Sequence, residues 1–216
     1  MRAEGSKFHP EPRVGYRDPV SDHGLRIDPL TPARWPDLAA LFGRSGGAYG
    51  CWCMDFRRTS SEMSKARAAD NEADLRALAS GDPAPGLLAY DGPDAVGWVG
   101  LGPRMTFPRL VRSRTLKPID DLPTWSVVCF YIAPQRRGQG IARALLEGAV
   151  DYARAHGAPA IEGYARDVGD AQLSAGSAYP GTVPLFERAG FREVARHLPQ
   201  GGGMPRVTMR KDLPAT

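Results

Sequence analysis

The stretch CFYIAPQRRGQGIARALLEG, residues 129–148, sets a turn dense in glycine and arginine between an apolar run and a segment of helical spacing. A strand that passes through glycines straight into a helix leaves several backbone N–H groups without partners, at the positive end of the helix dipole. Such a turn suits an anion, and glycine lets a phosphate approach the chain closely. Neither G-x-x-x-x-G-K-S/T nor G-x-G-x-x-G is present in it, which sets aside the common nucleotide loops. The turn calls for a different phosphate ligand.

Reading outward, WSVVCFYI is continuously apolar, as a strand buried on both faces should be. After the turn, residues 140–156 place Leu145, Leu146, Ala149 and Ala153 on one helical side, with Gly157 as the stop. AIEGYA reads as the next strand. A loop of small residues, a short helix around VPLFERAG and two strands, FREVARH and RVTMRKDL, follow. Toward the amino end, LRID reads as a strand and Thr31 is placed to cap a helix beginning at Pro32, with Trp35, Leu38 and Phe42 at helical spacing. A helix is predicted over about residues 61–80, with Gly81 as its C-cap. LLAY and AVGWVGL joined by DGPD read as a hairpin. An arginine-dotted connection, residues 104–122, then leads into WSVVCFYI. This order predicts one α/β (α+β) sheet with helices on both faces. Residues 1–23, polar and proline-rich, are expected to form a loose arm, and 24–216 a single domain.

With 216 residues the chain is long enough to bury very roughly 70% of its unfolded surface. Lys and Arg number 28 against 24 Asp and Glu, a net charge of +4, which favours an anionic ligand mildly. No basic helix or basic stretch with interleaved aromatics is present, so nucleic acid is not an expected partner. The absence of an apolar leader and of any run long enough to span a bilayer predicts a soluble, cytoplasmic protein with no membrane partner. Three cysteines, an odd and low number, argue for thiols rather than a disulfide framework.

The 129–148 stretch resembles the signature of the GNAT superfamily of acetyl-CoA-dependent N-acetyltransferases, Q/R-x-x-G-x-G/A between the fourth strand and third helix. Two registers satisfy it, Gln135-Arg136-Arg137-Gly138-Gln139-Gly140 and Arg137-Gly138-Gln139-Gly140-Ile141-Ala142. The second is preferred, because it leaves YIAP as a hydrophobic-x-Pro strand ending and puts RALL in phase on the helix. Helix count, hairpin position and LFERAGF extend the resemblance over nearly all of residues 25–213. It implies a mixed, mostly antiparallel central sheet with helices on both faces.

The resemblance also implies a site. Acetyl-CoA would be the co-substrate, its pyrophosphate on the amides of Arg137, Gly138, Gln139, Gly140, Ile141 and Ala142. Its pantetheine arm would lie along the opened edge at Phe130, Tyr131 and Ile132, with an oxyanion donor near Ile132. An amine acceptor, either a small molecule or a protein, would attack the thioester directly through a tetrahedral intermediate, which needs that donor and a proton for the leaving thiolate. Where the family often carries an acidic tyrosine this chain has Phe186, and where it often carries asparagine it has Tyr179. Tyr179 is therefore a candidate acid beside a packing aromatic or proton supply by water. Glu162, on one strand face with Tyr164, is a candidate base acting through water, beside a plain solvent-facing carboxylate. By the same analogy the loop YGCWCMDFR supplies candidate acceptor contacts, Tyr49, Trp52, Asp55 and Arg57, against a purely packing role. The arginines of the 104–122 connection are candidates for an adenosine phosphate or an acidic acceptor.

Cys51 and Cys53 flank a tryptophan at a spacing unlike a zinc knuckle, with no second pair nearby, so no metal is expected. The reading is an N-acetyltransferase, acting as a monomer or homodimer. A catalytically silent acyl-CoA-binding module is the rival, and a thiol sensor or metal module at Cys51 and Cys53 the third possibility.

Overall fold

The computed structural model describes residues 24–169, 179–198 and 204–214. The expected arm, residues 1–23, lies outside them. In chain order the elements are β1 Arg26–Pro29, α1 Trp35–Phe42, α2 Ser60–Lys65, α3 Ala68–Leu78, β2 Gly86–Asp91, β3 Asp94–Pro103 and α4 Pro108–Val111. Then come β4 Trp125–Ile132, α5 Ile141–Ala155, β5 Ala160–Arg166, α6 Val183–Arg188, β6 Arg192–His197 and β7 Arg206–Asp212. The seven strands form one sheet in the order β1-β2-β3-β4-β5-β7-β6. Every neighbouring pair is antiparallel except β4 and β5, so the sheet is mixed and mostly antiparallel, as the family resemblance implied.

Strand alternation sends two cores to opposite faces. Leu87, Val99, Leu101 and Val127 pack beneath α5 with Leu145, Leu146 and Ala149, while Leu88, Trp98 and Val128 face α1 and α3 with Phe42 and Leu75. Helix α5 lies very close to β3: a Cβ on Gly97 would stand 2.7 Å from the Ile141 side chain. In the β3–β4 ladder, Gly100 pairs with Cys129 and Leu101 with Val127, so Val128 is an extra residue. This bulge puts Val128 and Cys129 on the same face, and it bends β4 where the strand leaves its other neighbour. Strands β4 and β5 pair over only three positions, Trp125↔Ile161, Ser126↔Glu162 and Val127↔Gly163. Beyond them the two strands part.

Two local expectations are corrected. The helix expected over residues 61–80 is two helices, because two capping boxes compete within it. Thr59 Oγ1 accepts from the Glu62 amide at 3.2 Å and opens α2, while the Arg67 amide donates to Asp70 Oδ2 at 2.9 Å and opens α3. Ala66 and Arg67 are consequently extended, and α3 ends at Ala79 in right-handed geometry rather than at Gly81. The Thr31 hydroxyl makes no capping bond, since the chain enters α1 through a tight 3-10 turn at Pro32–Arg34. Among the described residues no helix is long and apolar enough to cross a membrane.

Candidate active site

The parting of β4 from β5 opens the site. Ala133 donates its amide to Val96 of β3 at 3.0 Å, so by alternation the amides of Phe130 and Ile132 face away from β3 toward the open edge. The Phe130 amide is held by the Tyr179 carbonyl at 2.7 Å. The Ile132 carbonyl accepts from Arg137 Nε at 3.3 Å. The turn that follows carries Gly138 at φ 76° and Gly140 at φ 81°, left-handed conformations that glycine takes without steric cost. Among the described residues, no protein group accepts a hydrogen bond from the amides of residues 137–142. Unpaired, at the start of a fifteen-residue helix and with nothing within 4 Å of where a Gly138 side chain would stand, they fit a diphosphate.

A cleft of about 1300 Å³ runs beside this edge, lined by Phe130, Tyr131, Ile132, Arg137 and Ala142 among others. Gly138, Gln139 and Gly140, between Arg137 and Ala142 in the chain, are exposed and are not among the residues that line it. The Ile141 side chain turns the other way, into the α5 core, 3% exposed, leaving only its backbone for a ligand.

The loop between α1 and α2 forms the opposite wall, and it divides the four expected acceptor contacts. Tyr49, 96% exposed, and Asp55 line the cleft. Trp52 and Arg57 do not. Trp52 is buried and stacked on Trp35, ring centroids 5.7 Å apart. Arg57 donates to the Pro85 and Leu101 carbonyls at 2.9 and 3.0 Å and lies over the Phe107 ring, and burial lowers its pKa to about 10. Both hold the loop against the sheet. Sequence reasoning missed the partner of Asp55, Arg109, which forms an ion pair with it across 54 positions. No local spacing announces a pair so far apart.

Tyr179 lines the cleft and donates its hydroxyl to Asp55 Oδ2 at 3.4 Å. Burial first, then the Asp55 charge, raises its pKa, with the Arg206 guanidinium opposing. Phe186 is wholly buried, in edge contact with Phe130 and Phe191. A Cβ on Gly163 would come within 2.2 Å of its ring, so the ring fills the space below β5 and cannot reach the cleft.

Glu162 is not brought to the cleft, which corrects its reading as a base. It does share a face with Tyr164, but the connection from β3 to β4 covers that face. The carboxylate is 1% exposed, accepts from the Tyr164 hydroxyl at 3.4 Å and stands 4.0 and 3.8 Å from the Arg104 and Arg210 guanidinium groups. Burial raises its pKa, and the two arginines oppose the rise. Arg104 is likewise internal, donating to Tyr164 and to the Leu110 and Leu116 carbonyls. Arg104 is therefore not available to a phosphate.

Cys51, Cys53 and Cys129 line the cleft floor, and burial pushes the Cys51 thiol up to about 12. Among the described residues, no group of three or more His, Cys, Asp or Glu is placed to hold a metal ion.

Residues 52–191 match the model of the acetyltransferase (GNAT) family. No curated protein matches the chain by sequence. Solved structures resemble its fold. A ribosomal-protein-alanine N-acetyltransferase from Brucella melitensis aligns with TM-score 0.52 and 20% identity over 87% of this chain and 99% of that one. The yncA protein of Salmonella typhimurium, solved with its cofactor acetyl-CoA, aligns with TM-score 0.52 and 16% identity over 89% and 95%. A GCN5-related N-acetyltransferase from Kribbella flavida aligns with TM-score 0.51 and 19% identity over 88% and 98%.

Proposed function

Because the chain belongs to the acetyltransferase (GNAT) family, we propose that it moves an acetyl group from acetyl-CoA to a primary amine by direct attack. The observation that carries this reading is the set of unpaired amides at residues 137–142 beside the opened edge of β4, both on one cleft. Acetyl-CoA would supply the thioester. Residues 137–142 would hold its diphosphate, and Phe130, Tyr131 and Ile132 would offer backbone to its amide-bearing arm.

The amine nitrogen attacks the thioester carbonyl carbon, and the charge gathered on oxygen needs a fixed donor. The Ile132 amide faces the open edge and suits that role. The Asp55 carboxylate, on the opposite wall, suits a cationic acceptor, which releases one proton to solvent before attack. When the carbon–sulfur bond breaks, the Tyr179 hydroxyl gives its proton to the thiolate, and the tyrosinate recovers one from the nitrogen now bonded to the acetyl carbon. Its raised pKa keeps that proton in place at neutral pH. Asp55 and Tyr49 leave room for a small amine or a protein amine alike.

A second reading, a silent acyl-CoA-binding module, is favoured by one contact, the Tyr179 carbonyl on the Phe130 amide, which occupies part of the reactive edge. Coenzyme A release from acetyl-CoA with a panel of amines separates the two. Turnover with any amine supports the enzyme, whereas tight binding of acetyl-CoA without turnover across a broad panel supports the module.

A further inference from the structure

Three thiols meet at the floor of the cleft. Cys51 and Cys53 come from the loop after α1 and Cys129 from β4. The Cys53 and Cys129 sulfurs stand 2.7 Å apart, about 0.7 Å beyond the roughly 2.05 Å of a sulfur–sulfur bond. The two residues are 6% and 9% exposed and 76 positions apart, so only the fold joins them. The Trp98 indole N–H donates to the Cys53 sulfur at 3.0 Å and fixes where it sits. The Cys51 thiol differs from these two in being only partly buried.

The backbone is strained in the same place. Tyr49, Trp52 and Cys53 have φ of 53°, 46° and 55°, a region that residues with a side chain seldom occupy and that persists only where the surroundings enforce it. Trp52 is wedged against Trp35 and against Gly46, where a Cβ would lie 2.3 Å from the indole nitrogen. Cys53 is thereby presented to β4.

We propose that Cys53 and Cys129 form an oxidative modification site, joining as a disulfide that staples the loop after α1 to β4 at the floor of the cleft. Hydrogen peroxide suffices as the oxidant. One sulfur, as thiolate, attacks a peroxide oxygen; the O–O bond breaks, and a sulfenic acid forms with loss of hydroxide, which takes up the thiol's proton as water. The second sulfur attacks the sulfenic sulfur, the S–S bond forms, and the hydroxyl leaves with the remaining thiol proton as a second water. Two thiols thus lose two electrons and two protons, and one peroxide becomes two waters. The hydrogen bond with Cys53, and then burial, hold the Cys129 thiol well above its ordinary pKa, so the reaction quickens as pH rises.

The inference stands apart from acetyl transfer, since it is read from thiols and mass alone. The full chain is treated with hydrogen peroxide, denatured and titrated. The three thiols fall to one, the intact mass falls by that of two hydrogens, and a protease cutting after arginine releases residues 45–57 joined to 115–136. Because Cys51 shares the first peptide with Cys53, Cys51→Ser keeps the link and Cys53→Ser loses it, and a thiol reductant restores three thiols. Three thiols left after peroxide, a link that survives in Cys53→Ser, or oxygen added to a cysteine without a link overturns the proposal.

Discussion

At the scale of single residues, the proposed chemistry turns on one hydroxyl. Tyr179 donates a hydrogen bond to Asp55, and burial raises its pKa above the ordinary tyrosine value of about 10. If it protonates the leaving thiolate, Tyr179→Phe lowers kcat by about 10²–10⁴-fold, the span typical of a positioned acid, while KM for acetyl-CoA stays nearly constant. The direction of the shift fixes the pH profile. A raised pKa keeps the acid form present as pH climbs, so the wild-type kcat shows no alkaline fall from this group below about pH 10. Steady-state kinetics of both proteins check this, and an unchanged kcat in the variant returns Tyr179 to packing. This residue was visible in the sequence only as a departure from a familiar pattern. Its partner Asp55 was visible as a carboxylate in a loop, and their meeting across 124 positions was not visible at all.

At the scale of elements, the connection between β3 and β4 hangs from one buried guanidinium. Arg104 donates to the Tyr164 hydroxyl at 2.6 Å and to carbonyls of Leu110 and Leu116, beside Glu162. Arg104→Met leaves those acceptors unpaired and Glu162 short of a positive neighbour, a loss of about 3–5 kcal/mol for a broken buried pair. The deficit depends on pH. Burial raises the Glu162 pKa in the folded protein, so over the window between the ordinary and the raised value the folded state holds a proton that the unfolded chain has released. Stability from this group is full below that window and falls as pH rises through it. Removing Arg104 takes away a charge that lowers the pKa, which widens the window, so the variant's deficit is smaller at about pH 5 than at about pH 8. Urea unfolding at both pH values measures it; a deficit independent of pH denies Glu162 its part. The elements themselves were largely legible. Strand β4 agrees with its reading residue for residue, because an apolar run carries its burial in its own letters. The break between α2 and α3 was not legible from periodicity, although the T-x-x-E and R-x-x-D boxes that cause it stand in the sequence.

At the scale of the whole molecule, sheet, bulge and helix start act together, and their joint consequence is an open strand edge beside a helix start, the junction to which binding is proposed. The bulge at Val128 bends β4, the three-residue pairing with β5 ends there, and α5 begins beyond the open edge with the amides of its first two residues and of the turn before them unpaired among the described residues. Order along the chain made this arrangement readable, because strand, glycine turn and helix are contiguous. The far wall was less so, since Asp55 with Arg109 and Cys53 with Cys129 join segments whose spacing follows no helix or strand period. A ligand that bridges the junction should therefore stabilise the entire domain rather than one loop. At a concentration about a hundredfold above Kd, coenzyme A adds about 2.7 kcal/mol, which for a chain of this length raises Tm by roughly 5–10 °C. Gly140→Val tests where that stabilisation arises. A β-branched residue is strained at φ 81° and misdirects the amides proposed to hold the diphosphate, so its Tm in the absence of ligand falls modestly while the shift with coenzyme A all but disappears. Thermal scans of both proteins with and without coenzyme A decide the matter, and an equal shift in the variant moves the diphosphate away from residues 137–142.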